Sequence, residues 1–263
     1  MITITPLSSG SKGNILLLET ETIKLIIDVG ISAKIAEQKL QEVGVSFSDV
    51  DAILITHEHS DHIKGLETIA RRYNLPVFAN AETAKAILDA GIQDVQFTIF
   101  TTDESFHFKG VDIYPFSIQH DTMDPVAFTF VYQGIKVGIC TDLGYVTSLV
   151  KAHLEGCHAL VIESNHEPSM IHACNRPQVY KTRVLGRQGH LSNDMCCELL
   201  TAVAGETLQH VFLAHLSEEC NNPELALKKG KAVLGENVNL YLAHQHTISE
   251  AVTLHPEPLK TKS

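Results

Sequence analysis

One stretch decides the fold: Ala52-Ile53-Leu54-Ile55-Thr56-His57-Glu58-His59-Ser60-Asp61-His62. It begins as a short apolar run rich in β-branched side chains, which is typical of a buried strand. It ends in three histidines and two carboxylates within six residues. Apolar side chains then recur at helical spacing over residues 63–73, which predicts a helix. The stretch therefore places a cluster of ligand-type side chains between a strand and a helix.

The cluster has the composition of a metal site. His57 and His59 are two residues apart, so in extended backbone both imidazoles point the same way and can reach one metal ion. Asp61 and His62 are adjacent, so their side chains diverge and could serve a second ion nearby. Histidine and carboxylate without thiolate suit zinc, manganese or iron in a hydrolytic site rather than a closed structural zinc site. A polar loop with chance histidines is the alternative, but such crowding is rare without a metal to bind.

Composition limits the classes of protein that need to be considered. The 263 residues are 44% hydrophobic, which is ordinary for a globular protein with a sizeable core. The formal net charge of −11 argues against a broad, non-specific nucleic-acid surface but leaves room for a local basic groove. The six cysteines include no Cys-x-x-Cys pair, so a reducing cytoplasm is the expected location. Residues 1–7 alternate like a strand rather than a signal peptide, and no apolar run approaches the roughly 20 residues of a membrane span.

Strand-like and helix-like patterns alternate along the whole chain. The pattern is repeated before and after about residue 115, which predicts two similar halves packed face to face. Helices are predicted at residues 33–43, 63–73, 81–90, 146–154, 194–204 and 223–233, with a frayed tail at 256–263. Strands are predicted at residues 1–7, 15–18, 23–28, 52–55, 75–79, 95–100, 111–119, 126–132, 136–140, 159–162, 211–214, 238–243 and 247–254.

Further ligand-type residues follow other predicted strands. His120, Asp142 and His215 each come directly after a strand or one residue later. A single histidine at a strand end is usually a capped or solvated side chain. Because the same placement recurs together with the first cluster, these residues are candidate ligands of the same site.

Two loops are candidates for contacts with a ligand. Residues 8–14 form a small, polar, glycine-rich turn, whose N–H groups and hydroxyls could hold a phosphate; a plain hairpin connection is the alternative. About 25 residues of irregular sequence follow Glu163-Ser164-Asn165-His166, and loops of this length are usually functional or disordered. This second loop ends in Gly189-His190-Leu191-Ser192-Asn193, where Ser192 or Asn193 can cap the next helix. It is locally basic, with Arg176, Lys181, Arg183 and Arg187.

The ordered ligands resemble those of the metallo-β-lactamase superfamily. The motif His57-x-His59-x-Asp61-His62, followed by His120, Asp142 and His215, carries the resemblance, which extends over nearly the whole chain. It implies an α/β fold, a four-layer αββα sandwich, with residues 1–263 as a single domain and a dinuclear metal site at one edge. The finer match is to the YycJ/WalJ-type branch, associated with 5′-to-3′ exonuclease action on double-stranded DNA and with mismatch repair. Its marks are Ser9-Gly10-Ser11-Lys12-Gly13-Asn14, Thr141-Asp142-Leu143-Gly144-Tyr145, Glu163-Ser164-Asn165-His166 and Gly189-His190-Leu191-Ser192-Asn193.

The resemblance also implies roles for single residues. One divalent ion, zinc, manganese or iron, would be held by His57, His59 and His120, and a second by Asp61, His62 and His215, with Asp142 bridging. Asp61 would also orient or deprotonate the nucleophile. The chain is similar in addition to tRNA 3′-processing ribonucleases, in which a strand-end glutamate pairs with a histidine of a Gly-His-Ser/Thr motif. By this similarity His190 would donate a proton to the leaving oxygen or stabilise it, and Glu163 would orient the His190 ring.

The expected function is metal-dependent phosphodiester hydrolysis, with DNA as the substrate and a role in DNA repair. The net acidity mildly favours one alternative, a small-molecule hydrolase acting on a cyclic phosphodiester, lactone or thioester. A second alternative is a non-catalytic, metal-stabilised interaction module. For the basic residues of the second loop, a solvated surface is the alternative to substrate contact. The candidate substrate contacts are Ser9, Ser11, Lys12, Asn14, Asn165, Lys181, Arg183, Arg187, Ser192 and Asn193.

Overall fold

The computed structural model describes residues 1–256, and within them the strands form two sheets of seven. The first-half strands are β1 (Ile2–Ser8), β2 (Ile15–Thr20), β3 (Lys24–Ile27), β4 (Ala52–Leu54), β5 (Val77–Ala79) and β6 (Phe97–Ile99). The later strands are β7 (Phe106–Phe108), β8 (Val111–Ser117), β9 (Val126–Tyr132), β10 (Ile135–Cys140), β11 (Ala159–Glu163), β12 (His210–Ala214), β13 (Asn239–Leu242) and β14 (Val252–Leu254).

The α-helices of the described residues connect and cover these strands. The first-half helices are α1 (Ala33–Glu42), α2 (Ser60–Ile63), α3 (Leu66–Tyr73) and α4 (Ala81–Asp89). The second-half helices are α5 (Ser148–Leu154), α6 (Pro168–Ala173), α7 (Gln178–Val184), α8 (Asn193–Val203) and α9 (Pro223–Leu234). No helix within residues 1–256 is long and apolar enough to cross a membrane.

The two sheets have matching strand orders. The first runs β14-β1-β2-β3-β4-β5-β6, and the second runs β13-β12-β11-β10-β9-β8-β7. Strands β3, β4 and β5 pair in parallel, as do β10, β11 and β12. Because parallel strands end at the same edge of a sheet, the residues that follow these strands are brought together.

The core consists of three apolar layers. The inner faces of the two sheets meet in one cluster that includes Ile4, Leu25, Phe128 and Phe212, all with no exposed surface. A second cluster joins the outer face of the first sheet to its helices, and a third does the same for the second sheet. Each fully buried side chain of this size contributes about 1.5–3 kcal/mol. The predicted αββα sandwich is therefore confirmed.

Some sequence predictions need correction. The residues after Glu163, predicted to be irregular, contain α6 and α7, and β7 was missed. The division between the halves lies between β6 and β7, and β14 returns from the end of the chain to pair with β1. The helix predicted over residues 63–73 starts at Ser60 and is interrupted at Gly65, where a Cβ would lie 2.4 Å from the carbonyl oxygen of Ile31. Except for Pro256, the predicted frayed tail lies outside the described residues.

Candidate active site

The candidate ligands meet at the edge where the parallel strands end. Three residues at this edge, Asp28 after β3, Asp142 after β10 and His215 after β12, adopt left-handed backbone with φ of 60°, 57° and 53°. This conformation is uncommon for residues other than glycine and costs of order 1 kcal/mol each. At each position the turn redirects the chain directly after the strand and leaves the side chain buried at the shared edge.

The structure brings together all seven residues that were predicted as metal ligands. Ligand atoms of His57, His59 and His120 lie within 4.8 Å of one another, and so do those of Asp61, His62 and His215. Asp142 lies between the two groups. Its Oδ2 is 3.2 Å from His62 Nε2, and its Oδ1 is 3.3 Å from His215 Nδ1 and 3.8 Å from His120 Nε2. Asp142 is also grouped with His57 and His62, so the division of the seven residues between two ions stays a prediction.

Hydrogen bonds hold one ring nitrogen of His57 and of His62 away from the centre. His62 Nδ1 donates to Asp28 Oδ2 over 2.7 Å. The hydroxyl of Thr56 donates to the same carboxylate and can accept from His57 Nδ1, at 2.9 Å in each case. Such bonds fix the tautomer and the ring orientation of a ligand histidine. The Nε2 atoms of both rings therefore face the cluster, and that of His57 has no hydrogen-bond partner.

The histidines of the second half are held in the same way. His120 Nδ1 donates to the carbonyl oxygen of Gly189 over 3.0 Å, and His215 Nδ1 donates to Glu163 Oε1 over 2.8 Å. His59 differs, because its Nδ1 lies 3.3 Å from His120 Nε2. Its side chain is also the most exposed of the five, at 29%.

Buried polar atoms without partners indicate that a cation fits here. Among residues 1–256, His57 Nε2 and His215 Nε2 are buried and have no hydrogen-bond partner. A buried polar atom left unsatisfied costs about 1–3 kcal/mol. Neutral imidazole nitrogens and carboxylates are ligands that divalent transition metals accept, so the donor set fits the two ions implied by the resemblance.

The electrostatics of the cluster couple metal binding to protons. Burial lowers the pKa of His62, but the carboxylates of Asp142 and Asp28 outweigh burial and hold that pKa well above its usual range. His215 behaves similarly: burial opposes Asp142, Asp61 and Glu163, which together raise its pKa to about 10. Because metal ligands must be deprotonated, cations would displace protons from these rings. Metal affinity should therefore fall as the pH is lowered.

Glu163 joins a candidate ligand to His190. Its Oε1 accepts from His190 Nδ1 and from His215 Nδ1, both at 2.8 Å. Its Oε2 accepts from the backbone N–H groups of Leu143, at 2.8 Å, and Leu191, at 3.0 Å. Burial of Glu163 opposes ionisation, but His190 and His215 lower its pKa to about 2. The carboxylate is therefore ionised and acts only as an acceptor, so both histidines carry their protons on Nδ1.

A cavity of about 230 Å³ opens beside the cluster. Asp61 and His190 line it, and the His190 side chain is 18% exposed, so its Nε2 edge can reach a bound molecule. Among the predicted substrate contacts, the structure places Ser11, Asn165 and Arg183 in this lining. Arg183 is also paired with Asp121, which follows the candidate ligand His120.

The 8–14 loop, predicted as a candidate phosphate-binding turn, uses most of its backbone N–H groups within the protein. Within this loop, the backbone N–H groups of residues 9, 10, 12, 13 and 14 all donate to protein oxygens. Gln245 organises the loop, because its Oε1 accepts from the N–H of Lys12 and its Nε2 donates to the carbonyl oxygen of Gly13. Ser9 is buried and accepts from the N–H of His215, while buried Asn14 has its Nδ2 3.1 Å from His62 Nε2. These two residues support candidate ligands rather than line the cavity.

The remaining predicted substrate contacts lie outside the cavity lining. Lys181 donates to the carbonyl oxygen of His172, and Lys12 pairs with Glu218. Ser192 is buried and caps α8, as predicted. Asn193 is buried, and its Oδ1 accepts from Ser164 Oγ over 2.7 Å. The guanidinium of Arg187 lies 4.0 Å from the ring centre of the exposed Tyr145 at the adjoining surface.

Sequence reasoning missed three residues that support the site: Asp28, Thr56 and Gln245. Asp28 closes a predicted strand, and Thr56 immediately precedes His57. A polar residue directly after or before such a cluster could have been flagged as a support for a ligand histidine. Gln245 carries no such signal, because it lies more than 230 residues along the chain from the loop that it organises.

Comparisons with known proteins agree with this geometry. A family model described as "Beta-lactamase superfamily domain" matches residues 24–215. The exodeoxyribonuclease YycJ of Bacillus anthracis is 38% identical over 232 residues, which cover 88% of each chain. The exodeoxyribonuclease WalJ of Streptococcus pneumoniae is 35% identical over 224 residues, covering 84% of this chain and 83% of WalJ.

Solved structures share the fold at low sequence identity. The metallo-β-lactamase fold protein YhfI from Bacillus subtilis superposes with a TM-score of 0.74 at 15% identity, covering 95% of this chain and 98% of YhfI. The short form of human tRNase Z gives a TM-score of 0.67 at 13% identity, covering 96% and 99%. At such identities the comparison concerns the fold alone.

Proposed function

Since the chain belongs to the β-lactamase superfamily, in the branch of the YycJ and WalJ proteins, we propose that it is a metal-dependent exodeoxyribonuclease. It would remove nucleotides from the 5′ end of double-stranded DNA and take part in DNA repair in the cytoplasm. The names of the relatives that match over most of the chain support the substrate class. A dinuclear site of zinc, manganese or iron would provide the reaction centre.

The observation that carries this proposal is the His190–Glu163 pair beside the ligand cluster. His57, His59 and His120 would hold one ion, Asp61, His62 and His215 the other, and Asp142 both. When bound, two such cations lower the pKa of a nucleophilic water and offset the charge of a phosphate. Cleavage of a phosphodiester also requires a proton for the leaving oxygen. The metal ligands alone do not supply this proton, whereas His190 can.

The protein's own groups would divide the remaining work. Asp61 lines the cavity next to His215 and would orient or deprotonate the attacking water. His190, held at Nδ1 by Glu163, would donate a proton from Nε2 to the leaving alkoxide. Arg183 in the cavity lining would contact a phosphate of the substrate.

The direct test compares Asp61→Ala and His190→Ala on a 5′-phosphorylated duplex with Mn²⁺. Loss of general acid catalysis should slow His190→Ala about 10²–10⁴-fold, while its metal content, measured by mass spectrometry, stays that of the parent. His107→Ala is a matched control, because that histidine is 64% exposed and is not among the clustered ligand-type residues. Full activity of either site variant would refute the role assigned to that residue.

The leaving group and the label position sharpen the test. p-Nitrophenolate needs no proton to depart, so His190→Ala should lose far less activity on bis(p-nitrophenyl) phosphate than on DNA.

A duplex labelled at its 5′ end should release labelled mononucleotide first, whereas a 3′ label should remain in long fragments. Early release of the 3′ label would overturn the proposed polarity.

A small-molecule hydrolase is the second candidate, and the charge distribution favours it. The net charge is −11, and two arginines of the basic loop are neutralised, Arg183 by Asp121 and Arg176 by Glu219. The surface formed by this loop therefore carries less net positive charge than the sequence of the loop predicts. A panel of a cyclic phosphodiester, a lactone, a thioester and duplex DNA separates the two candidates by relative kcat/KM.

A further inference from the structure

Two cysteines that the proposed mechanism does not use lie side by side near the cavity. The sulfur atoms of Cys174 and Cys220 are within 4.8 Å of each other. Cys174 follows α6 and is partly exposed, while Cys220 is buried in the segment after His215. The two cysteines are far apart in the sequence and form no Cys-x-x-Cys motif, so this pair was not predicted.

The cysteine pair lies where the segment around α6 contacts residues 219–220. The N–H of Glu167 donates to the carbonyl oxygen of Cys220, and Arg176 forms an ion pair with Glu219. Cys220 also packs in a small apolar cluster with Ile171 of α6 and Val184 of α7. The α6–α7 segment (residues 168–184) is thus fastened to residues 219–220 by several non-covalent contacts.

The same segment supplies part of the cavity wall. Tyr180 and Arg183 of α7 line the cavity beside Asp61 and His190. The guanidinium of Arg176 lies 5.4 Å from the ring centre of Tyr180, which connects the cysteine-bearing turn to the cavity wall. A covalent bond at Cys174 would restrict movement of this wall relative to the strand end that carries His215.

The surroundings favour a disulfide over a third metal site. A carboxylate oxygen of Glu219 lies within 4.8 Å of both sulfurs. However, Glu219 Oε2 already accepts hydrogen bonds from Arg176 Nε at 2.9 Å and from Arg176 Nη2 at 2.6 Å. A guanidinium at this position repels a divalent cation. A disulfide is uncharged, and its formation would bring the two sulfurs from within 4.8 Å to about 2.05 Å.

We propose that Cys174 and Cys220 form a reversible disulfide that fastens the α6–α7 segment to the segment after His215 and slows the turnover of duplex DNA. A peroxide is the oxidant. The Cys174 thiol is oxidised to a sulfenic acid and one water is released. The Cys220 thiol then attacks this sulfur, forming the S–S bond and releasing a second water. Two thiols are oxidised by two electrons, and one hydrogen peroxide is reduced.

The order of attack follows from exposure. Cys174 is the more accessible thiol, so the oxidant reaches it first. Burial, together with the neighbouring Cys174, raises the pKa of Cys220 to about 11, so Cys220 is a poor first target but stands next to the oxidised sulfur. Cytoplasmic disulfides of this kind are usually transient and redox-sensing.

Peptide mapping of the metal-loaded full chain tests the bond itself. Hydrogen peroxide, followed by alkylation of free thiols, should yield a Cys174–Cys220 cross-linked peptide that dithiothreitol abolishes. Cys174→Ser should yield none, whereas Cys197→Ser, at the other partly exposed cysteine, should still form it. Both thiols remaining alkylatable after peroxide would overturn the proposal, as would a zinc ion lost specifically in Cys174→Ser.

A second measurement tests the consequence, which rests on the proposed nuclease function. Turnover of duplex DNA should fall about tenfold in the cross-linked parent, because movement of a cavity wall often limits kcat, and dithiothreitol should restore it. Cys174→Ser treated with peroxide should keep its activity. An unchanged rate for the cross-linked protein would refute the control of turnover. If the chain cleaves no DNA in either state, the nuclease proposal fails while the mapped cross-link still stands.

Discussion

Replacing Glu163 by glutamine changes one atom and tests the centre of the proposed site. Glu163 is fully buried and accepts four hydrogen bonds, two from histidine Nδ1 atoms and two from backbone N–H groups. A glutamine side chain has only one acceptor oxygen, and its NH₂ group can only donate. Whichever way the amide turns, two of the four donors lose their acceptor and face another donor.

The expected cost follows from this count. A hydrogen bond to a charged group contributes about 1.5–3 kcal/mol, so losing two lowers the free energy of unfolding by about 3–6 kcal/mol. If the NH₂ group faces the histidines, His215 can accept from it only by moving its proton to Nε2, the nitrogen that lies 3.7 Å from Asp61. Losing such a supporting carboxylate typically lowers metal affinity about 10–100-fold.

Two assays measure these effects separately. Urea unfolding of the chelator-treated protein gives the change in free energy, and competition with a chromophoric chelator gives the change in metal affinity. Glu167→Gln is the matched control, because Glu167 is partly buried and pairs with Lys229 but contacts neither histidine. Its effect on stability should stay within about 1 kcal/mol.

A free energy of unfolding within about 1 kcal/mol of the parent's, the scale of an exposed ion pair, together with the parent's metal affinity, would contradict the role assigned to Glu163. A loss of stability with unchanged metal affinity would mean that the amide oxygen still accepts hydrogen bonds from the two histidines, while the two backbone N–H groups lose their acceptor.

Three other predictions follow from the same geometry. Glu163 has a folded pKa of about 2, below its ordinary 4.5, so its contribution to stability is complete above about pH 4.5 and is lost as the pH falls towards 2; urea titrations across this range should show a slope that Glu163→Gln lacks. Asp28→Asn should lower metal affinity about 10–100-fold by loosening the hold on a ligand imidazole, with metal content by mass spectrometry as the measurement. Gly30→Ala should destabilise by about 1–3 kcal/mol in urea unfolding, because its Cβ would lie 1.6 Å from the carbonyl oxygen of Asp61, whereas Gly205→Ala, with nothing within 4 Å, should not.

The fold and the ligand cluster could be predicted because their signals are local. The run from Ala52 to His62 contains both the apolar pattern of a buried strand and a cluster of metal-ligand side chains. His120, Asp142 and His215 could be added because each follows an apolar strand, and parallel strands end at one edge. The period of two in strands and of 3.6 in helices was strong enough to locate most long elements.

The rest depended on distant contacts that sequence patterns do not carry. The 8–14 loop is glycine-rich, but its N–H groups are used because Gln245, from the other end of the chain, folds onto it. The α6 and α7 helices, of six and seven residues, were missed because their few apolar residues do not show a helical period. Arg183, predicted as a substrate contact, lines the cavity, but its pairing with Asp121 across 62 residues was not foreseeable.

The left-handed turn at Asp142 sets fold stability against function. At Asp142, whose buried Oδ2 has no hydrogen-bond partner, glycine would adopt the same backbone without the steric cost of a Cβ and should raise the melting temperature of the metal-free chain. Directed evolution that screens only for heat resistance would therefore drift towards glycine at this position. Such a library would return a robust sandwich that no longer holds a cation, so a thermostabilisation screen for this chain needs metal retention as a second criterion.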